Sequence, residues 1–594
     1  MKKSSLPRFV LISLLAIPLG AAMAGVAQFL MQLIGAITNF AFYGRLSWSP
    51  ASPAHNHLGL FVMAIPVIGG LIVGIMARYG SKAIRGHGIP EAMEQVLENK
   101  SRIPARITWL KPLSAAISIG TGGPFGAEGP IIATGGAGGS LLGQLISTTA
   151  AERKTLLAAG AAAGMAATFG SPVSAVLLAV ELLLFEFKAR SFVPVALASA
   201  VAAGTRLIWT GAAPVFPMPT VAPVIGFSLL FYLLLGAVTG GLAVGVTKLL
   251  YIIEDGFEHL PINWMWWPAL GAVAVGVVGY FEPRTLGVGY DNISHILEGS
   301  LPISAVALLC LLKFISWSIA LGSGTSGGTL APLLTVGSGI GFVAGILTLH
   351  LFPHLNIDPH LAALVGMAAL FGGASQATLA SAVFAFETTG QTAALIPLLA
   401  ACAAAFLVAK LLSRNSIMTE KIDRRGVNIP QEYSADIFQQ TAVGQVMEKD
   451  FQTIPASLQV RELIARITAH DPAVARHQAL LLVDENQKLA GIITRGDLLK
   501  EAENTSGDRA VLEVGSRNLI VTYPDESLHD AIEKILQHQI GRLPVVARQD
   551  SSCLVGYLSR ASVLSARWKL VEDETHREPA WRPWEKAGTP PLHR

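Results

Sequence analysis

Gly126-Ala127-Glu128-Gly129-Pro130 closes a glycine-dense run, and Gly86-His87-Gly88-Ile89-Pro90 stands before it in the chain. Each stretch lies inside a long apolar region and reads as a loop turning into a helix start. A helix that starts inside a bilayer leaves backbone N–H groups unpaired in hydrocarbon unless something occupies them. Anions are suited to that place, because the positive end of the helix dipole and the free N–H groups both favour negative charge. Glu128 is a lone carboxylate in the same setting. The pattern predicts an anion pathway with an acidic plug.

The rest of the chain fits a membrane protein. Of 594 residues, 52% are hydrophobic and 14% charged, and the net charge is only +3. Uncharged runs cover Phe9 to Phe42, Thr155 to Val180, Val221 to Thr247, Phe314 to Ile357 and Thr388 to Ala409. After Lys410 the character changes to mixed charge with short apolar alternations. About two thirds of the chain is therefore read as membrane-embedded and roughly a quarter as a soluble tail. Ala22-Met23-Ala24 resembles a cleavage site, but the apolar run continues past it, so the segment reads as a first membrane helix. Lys2, Lys3 and Arg8 before this helix, and Arg78, Lys82 and Arg85 after the next, put both termini on the cytoplasmic side of an inner or plasma membrane. Three scattered cysteines, Cys310, Cys402 and Cys553, suggest neither a disulfide framework nor a metal site. Nothing in the charge balance calls for nucleic acid.

The membrane part reads as two related halves. Gly120 to Gly126 has a counterpart in Gly322 to Pro332. Each is followed by a helix, an alanine-rich helix, and a turn, at Phe169 to Pro172 and at Phe371 to Ala374. Each turn precedes an apolar run ending in one acid, Glu181 or Glu387. Such internal repeats in membranes are often inverted, and the Gly and Pro interruptions predict discontinuous helices. The tail repeats too: Val446 to Leu499 and Val514 to Leu564 share strand-length apolar runs, amphipathic helices and a Gly-x-x-[Ser/Thr]-Arg segment, the pattern of two small α/β modules. Pro and charge dominate from Arg577 to Arg594, so residues 570–594 are expected to be disordered.

In this order the motifs resemble the CLC family of chloride channels and chloride/proton antiporters, followed by a pair of CBS domains. The resemblance runs from about Phe9 to Lys569, and the combination of Gly-x-Gly-Ile-Pro, Gly-x-Glu-Gly-Pro and Gly-Gly-x-x-Ala-Pro is specific. It implies a polytopic α-helical membrane domain over residues 1–430, CBS domains over 440–502 and 507–569, and a homodimer with one anion pathway per subunit. It further implies that Glu128 is the external gate. Gly88, Ile89, Gly126, Gly129, Thr329 and Leu330 would line the anion sites, with His87 and Met418 at the central one. The expected substrate is chloride or another small anion. No cofactor is required. In the CBS pair, Thr494, Asp497 and Ser559 match positions that contact adenine nucleotides; the second copy has Ser562 where the first has an acid. Nucleotide regulation and a purely structural dimerisation role both stand as readings of the pair.

Three departures bear on mechanism. His87 replaces the family's central serine, Met418 the tyrosine that often closes the inner end, and Leu182 the antiporters' internal proton-transfer glutamate. Leucine cannot carry a proton, which favours a passive channel. His87 titrates near physiological pH, and with Glu181 it is the candidate for a non-standard proton route in an antiporter. Glu186 is expected to pair with Lys188 or Arg190. Fluoride is disfavoured, since Pro130 stands where the fluoride-exporting branch has threonine. A CBS-bearing cation transporter would need acidic clusters where this chain has isolated carboxylates. An enzyme would need a nucleophile with a base or metal ligands at suitable spacing, which the histidines do not supply.

Overall fold

The computed structural model describes residues 6–427, 429, 438, 441–475, 477–502, 508–575 and 577–578. It divides into a helical unit, to which residues 577–578 also belong, and a second α/β unit over Asn428–His576.

The helical unit contains two sets of eight helices. The first set is α1 (Leu6–Tyr43), α2 (Ala64–Tyr79), α3 (Ile89–Glu98), α4 (Ile107–Gly120), α5 (Glu128–Leu145), α6 (Ala150–Phe169), α7 (Pro172–Ala179) and α8 (Ala189–Thr210). The second is α9 (Ser228–Glu258), α10 (Trp267–Phe281), α11 (Tyr290–Leu297), α12 (Ile303–Gly322), α13 (Leu330–Leu351), α14 (Pro359–Ser375), α15 (Thr378–Thr389) and α16 (Leu395–Leu412), after which α17 (Glu420–Arg424) ends the unit. Eight described helices are long and apolar enough to cross a membrane. Helices α3, α7, α11 and α15, of 10, 8, 8 and 12 residues, are too short to do so and end within the protein.

Reciprocal contacts relate the two sets. Gly126 N–H donates to the Gly328 carbonyl at 3.2 Å and Gly328 N–H to the Gly126 carbonyl at 2.9 Å, an antiparallel bridge between equivalent residues. Because the chains run in opposite senses there, α5 and α13, which start two residues later, leave the crossing in opposite directions. That is the inversion which the repeat alone did not reveal. The acids exchange in the same way. Glu181 accepts from Leu379 and Ala380 N–H at the start of α15, and Glu387 accepts from Val173 and Ser174 N–H at the start of α7. Each repeat thus caps a short helix of the other. A carboxylate at a helix start satisfies orphan donors and meets the dipole, worth about 1 kcal/mol at an ordinary cap.

Buried lysines complete the symmetry. Lys111 on α4 donates to Ile84 O and Gly86 O at 2.8 and 2.9 Å, and Lys313 on α12 to Thr285 O and Gly287 O at 2.9 Å each. Each ammonium clamps the loop that leads into the short helix of its own half, α3 or α11. Loss of such a buried charged clamp typically costs ~3–5 kcal/mol.

Two expectations are corrected. The second turn does not lie at Phe371 to Ala374: that segment is helical, α14 continues to Ser375, and the chain reverses at Gln376, whose φ is +58°. Apolar Phe-Gly-Gly-Ala packs well as helix, and the turn falls on the polar residue after it. The chain is also not disordered from residue 570, since the last helix of the α/β unit runs over Arg560–Thr575. Beyond it, Glu578 accepts from Arg153 on α6 at 2.7 Å and from Arg102 at 3.0 Å, so the chain returns to the helical unit; residues 579–594 lie outside the described ones.

In the α/β unit, the two modules exchange parts. Strands β1 (Thr453–Pro455), β2 (Ala479–Val483) and β3 (Leu489–Thr494) form one sheet, with β1 parallel and β3 antiparallel to β2. Strands β4 (Arg542–Ala547) and β5 (Asp550–Ser559) form the second, antiparallel sheet. Val443, which opens the first copy, is buried with Leu528, Ala531, Leu543 and Leu558 of the second. Val511, which opens the second, is buried with Val460, Leu463, Leu480 and Ile493 of the first. The two copies thus share their cores within one compact unit.

Candidate functional site

Three loops meet at the Gly126–Gly328 crossing, and glycine is what lets them. A Cβ at Gly129 would overlap the His87 carbonyl oxygen and crowd Gly328 Cα, and one at Gly88 would overlap the Gly129 carbonyl. No side chain larger than hydrogen fits between these backbones. The starts of α3, α5 and α13 are thereby gathered into one buried region. Gly86 N–H donates to Thr325 O at 3.0 Å, which ties the first loop to the third.

Glu128 stands at the centre, with no exposed surface. Its carboxylate curls back over Gly126, so close that a Cβ there would collide with it. Oε1 accepts a hydrogen bond from the Tyr290 hydroxyl at 2.7 Å. Oε2 has no hydrogen-bond partner among the described residues, and the same holds for two other buried atoms of this region, His87 Nδ1 and Thr329 Oγ1. A buried polar atom without a partner is costly and rare away from functional sites. Two of these atoms belong to groups able to donate to an anion, the imidazole and the hydroxyl.

Several expected site residues are used otherwise. The Gly88 N–H is taken by Glu91 Oε2 at 2.7 Å, a cap for α3, so it is not available to an anion. The Gly126 N–H is spent on Gly328, and the Met418 N–H on Ser416 Oγ at 3.2 Å. The N–H groups of Gly88 and Gly126 are thus spent within the protein, and Gly88 and Gly129 serve the close approach of the backbones. Met418 is fully buried and presents no donor side chain. Glu181 is a helix cap bonded to α15, and Glu186 pairs with Lys188 at 2.7 Å. Leu182 beside Glu181 is buried. Ile89 and Leu330 open α3 and α13 beside Thr329, His87 and Glu128, whose side chains hold the unpartnered atoms.

Tyr290 was not singled out from sequence. Its signal is positional: Gly287-Val288-Gly289-Tyr290 matches Gly86-His87-Gly88-Ile89 in the other half, so Tyr290 opens α11 as Ile89 opens α3. Glu91 was also missed, as were Lys111 and Lys313, although each lysine is the one charge of an apolar helix, a recognisable sign of a buried polar role.

In the α/β unit, Thr494 Oγ1 donates to Asp497 Oδ2 at 2.6 Å, and the pair sits at the start of the helix Arg495–Ala502. The second copy differs. Ser559 Oγ and Ser562 Oγ both donate to Glu448 Oε1, at 3.2 and 2.7 Å. Glu448 supplies the carboxylate that Ser562 lacks, so each copy pairs a hydroxyl with a carboxylate.

Comparison with known proteins agrees with this architecture. The model of the family described as voltage gated chloride channel matches residues 69–410, and that of the CBS domain matches 443–504 and 511–569. A chloride channel protein CLC-f of Arabidopsis thaliana is 26% identical over 600 residues, covering 87% of this chain and 74% of the relative. An H(+)/Cl(-) exchange transporter ClcA of Vibrio campbellii is 30% identical over 417 residues, covering 68% of this chain and 88% of the relative. The crystal structure of a eukaryotic CLC transporter superposes with a TM-score of 0.62 at 19% identity, covering 94% of this chain and 99% of that one.

Proposed function

This chain belongs to the CLC family, and from that premise we propose that it moves chloride through a pathway whose barrier is the Glu128 carboxylate. The observation that carries the reading is the buried carboxylate at the crossing of two inverted helix starts, one oxygen unpartnered. A carboxylate there holds the place of an anion and repels one. When it is protonated or swings away, chloride takes its position, met by the dipoles of α3 and α13, the Thr329 hydroxyl and His87. The protein is a multi-pass integral membrane protein and not an enzyme. A homodimer with one pathway per subunit belongs to the same reading.

Transport is passive in this proposal. Coupled exchange needs a proton acceptor on the inner side; Leu182 cannot serve, and Glu181 is committed to the amides of α15. Proteoliposomes loaded with chloride are expected to release it down its gradient without moving protons uphill, recorded with a chloride electrode and external pH together. Uphill proton movement driven by chloride would replace the channel with an antiporter. The unpartnered Nδ1 of His87 favours that second reading, and His87→Ala would then abolish the coupling.

The CBS pair adds a regulatory proposal: one adenine nucleotide per chain at Thr494 and Asp497, and none at the second copy, where Ser562 stands in place of the acid. Titration calorimetry on the purified full-length protein is expected to show single-site binding at or below millimolar ADP or ATP, lost in Asp497→Asn. Absence of heat at millimolar nucleotide would leave the pair a structural module.

A further inference from the structure

Tyr290 is fixed by its surroundings before it touches Glu128. Its ring packs edge-on against Phe169 at the end of α6, with centroids 5.6 Å apart, and against Phe216 at 6.0 Å. Phe216 is tied to α15 by its N–H on Thr388 O at 3.0 Å, and Phe384 of α15 stacks edge-on against Phe169 at 5.0 Å. Lys313 holds the loop just before Tyr290 through the Gly287 carbonyl. Packing from three elements thus sets where the hydroxyl points, and it points at Glu128 Oε1 at 2.7 Å. Tyr290 also lines a cavity of about 320 Å³ with Thr38, Ser52 and Asp291.

We propose that Tyr290 is the latch of the Glu128 gate, a positioning residue whose hydroxyl holds the carboxylate in the anion pathway and sets the proton concentration at which it leaves. The proposal rests on the reading of Glu128 as the gate. A phenol donating to a carboxylate favours the charged form over the protonated one. Breaking the bond therefore eases both protonation and departure. The other charged or titratable groups around the gate are Lys313 on α12, committed to two carbonyls, His87 before α3, and Asp291 on α11 at the cavity. Tyr290→Phe alters none of them and keeps the ring in its aromatic setting.

The test is the initial rate of chloride efflux against pH, in proteoliposomes of the full-length protein, for wild type, Tyr290→Phe, Glu128→Gln and the double variant. Tyr290→Phe is expected to raise efflux near neutrality and to move its half-maximal pH upward by about one unit, a tenfold change in proton concentration. In the Glu128→Gln background the same substitution is expected to change nothing, since no carboxylate remains to be held. A Tyr290→Phe profile that overlies wild type overturns the latch. So does an equal effect with and without Glu128→Gln, which would make Tyr290 a packing residue only. If Glu128→Gln alone behaves as wild type, the gate itself is misassigned and the latch falls with it, a failure read from a different variant.

Discussion

Glu128→Gln is expected to raise chloride efflux at neutral pH by about tenfold or more and to flatten its pH dependence. Glutamine has the shape of the protonated acid and no charge, so it mimics the released gate. A unit charge about 4 Å from a chloride ion opposes it by about 4 kcal/mol at an effective dielectric constant of about 20. Each ~1.4 kcal/mol of barrier is about a factor of ten in rate, so even partial relief of this repulsion exceeds the stated change. Wild-type efflux should rise as pH falls, because protonation removes the same charge. The variant has nothing to titrate at that position. Efflux that stays low and pH-sensitive in Glu128→Gln would mean that the barrier lies elsewhere in the pathway.

What the sequence revealed of this site and what it concealed follow from the range of the interactions. The glycine motifs were legible because only glycine permits two backbones to touch, and their positions alone imply a close crossing. Glu128 was legible because a single acid in an apolar run must have a reason to be there. The sense of the repeat was not, since inversion is carried by which residue of one half touches which of the other. Glu181 and Glu387 were each legible as the acid that ends an apolar run, but not as a cap on the amides of the opposite half. Gly88 carried the same ambiguity in miniature: its motif suggests a free amide, but Glu91 three residues later claims it. Tyr290 and Glu128 are 162 residues apart, and nothing local to either announces the other. In the tail, the shared plan of the two modules was visible, whereas the exchange of Val443 and Val511 between their cores is a tertiary fact that short apolar segments do not reveal.

Gly129→Ala is expected to abolish transport and to lower the thermal midpoint of the purified protein. The added methyl meets backbone on two sides, the His87 carbonyl oxygen and Gly328 Cα, and neither is the end of a flexible side chain. Overpacking in a core that can adjust costs ~1–3 kcal/mol, and more where the obstacle is main chain. Relief here requires the start of α5 to move away from the loops before α3 and α13, which separates the helix ends that create the anion-attracting region. The bridge between Gly126 and Gly328 would open with it. Gly245→Ala on α9 is the matched control, because a Cβ there meets nothing within 4 Å. That substitution should leave transport intact and stabilise the helix by up to about 1 kcal/mol. Were Gly129→Ala to transport chloride normally while Gly245→Ala behaved as expected, the three loops could not be in contact as described. The pathway would then owe its selectivity to side chains such as His87 and Thr329 rather than to helix starts held together by glycine.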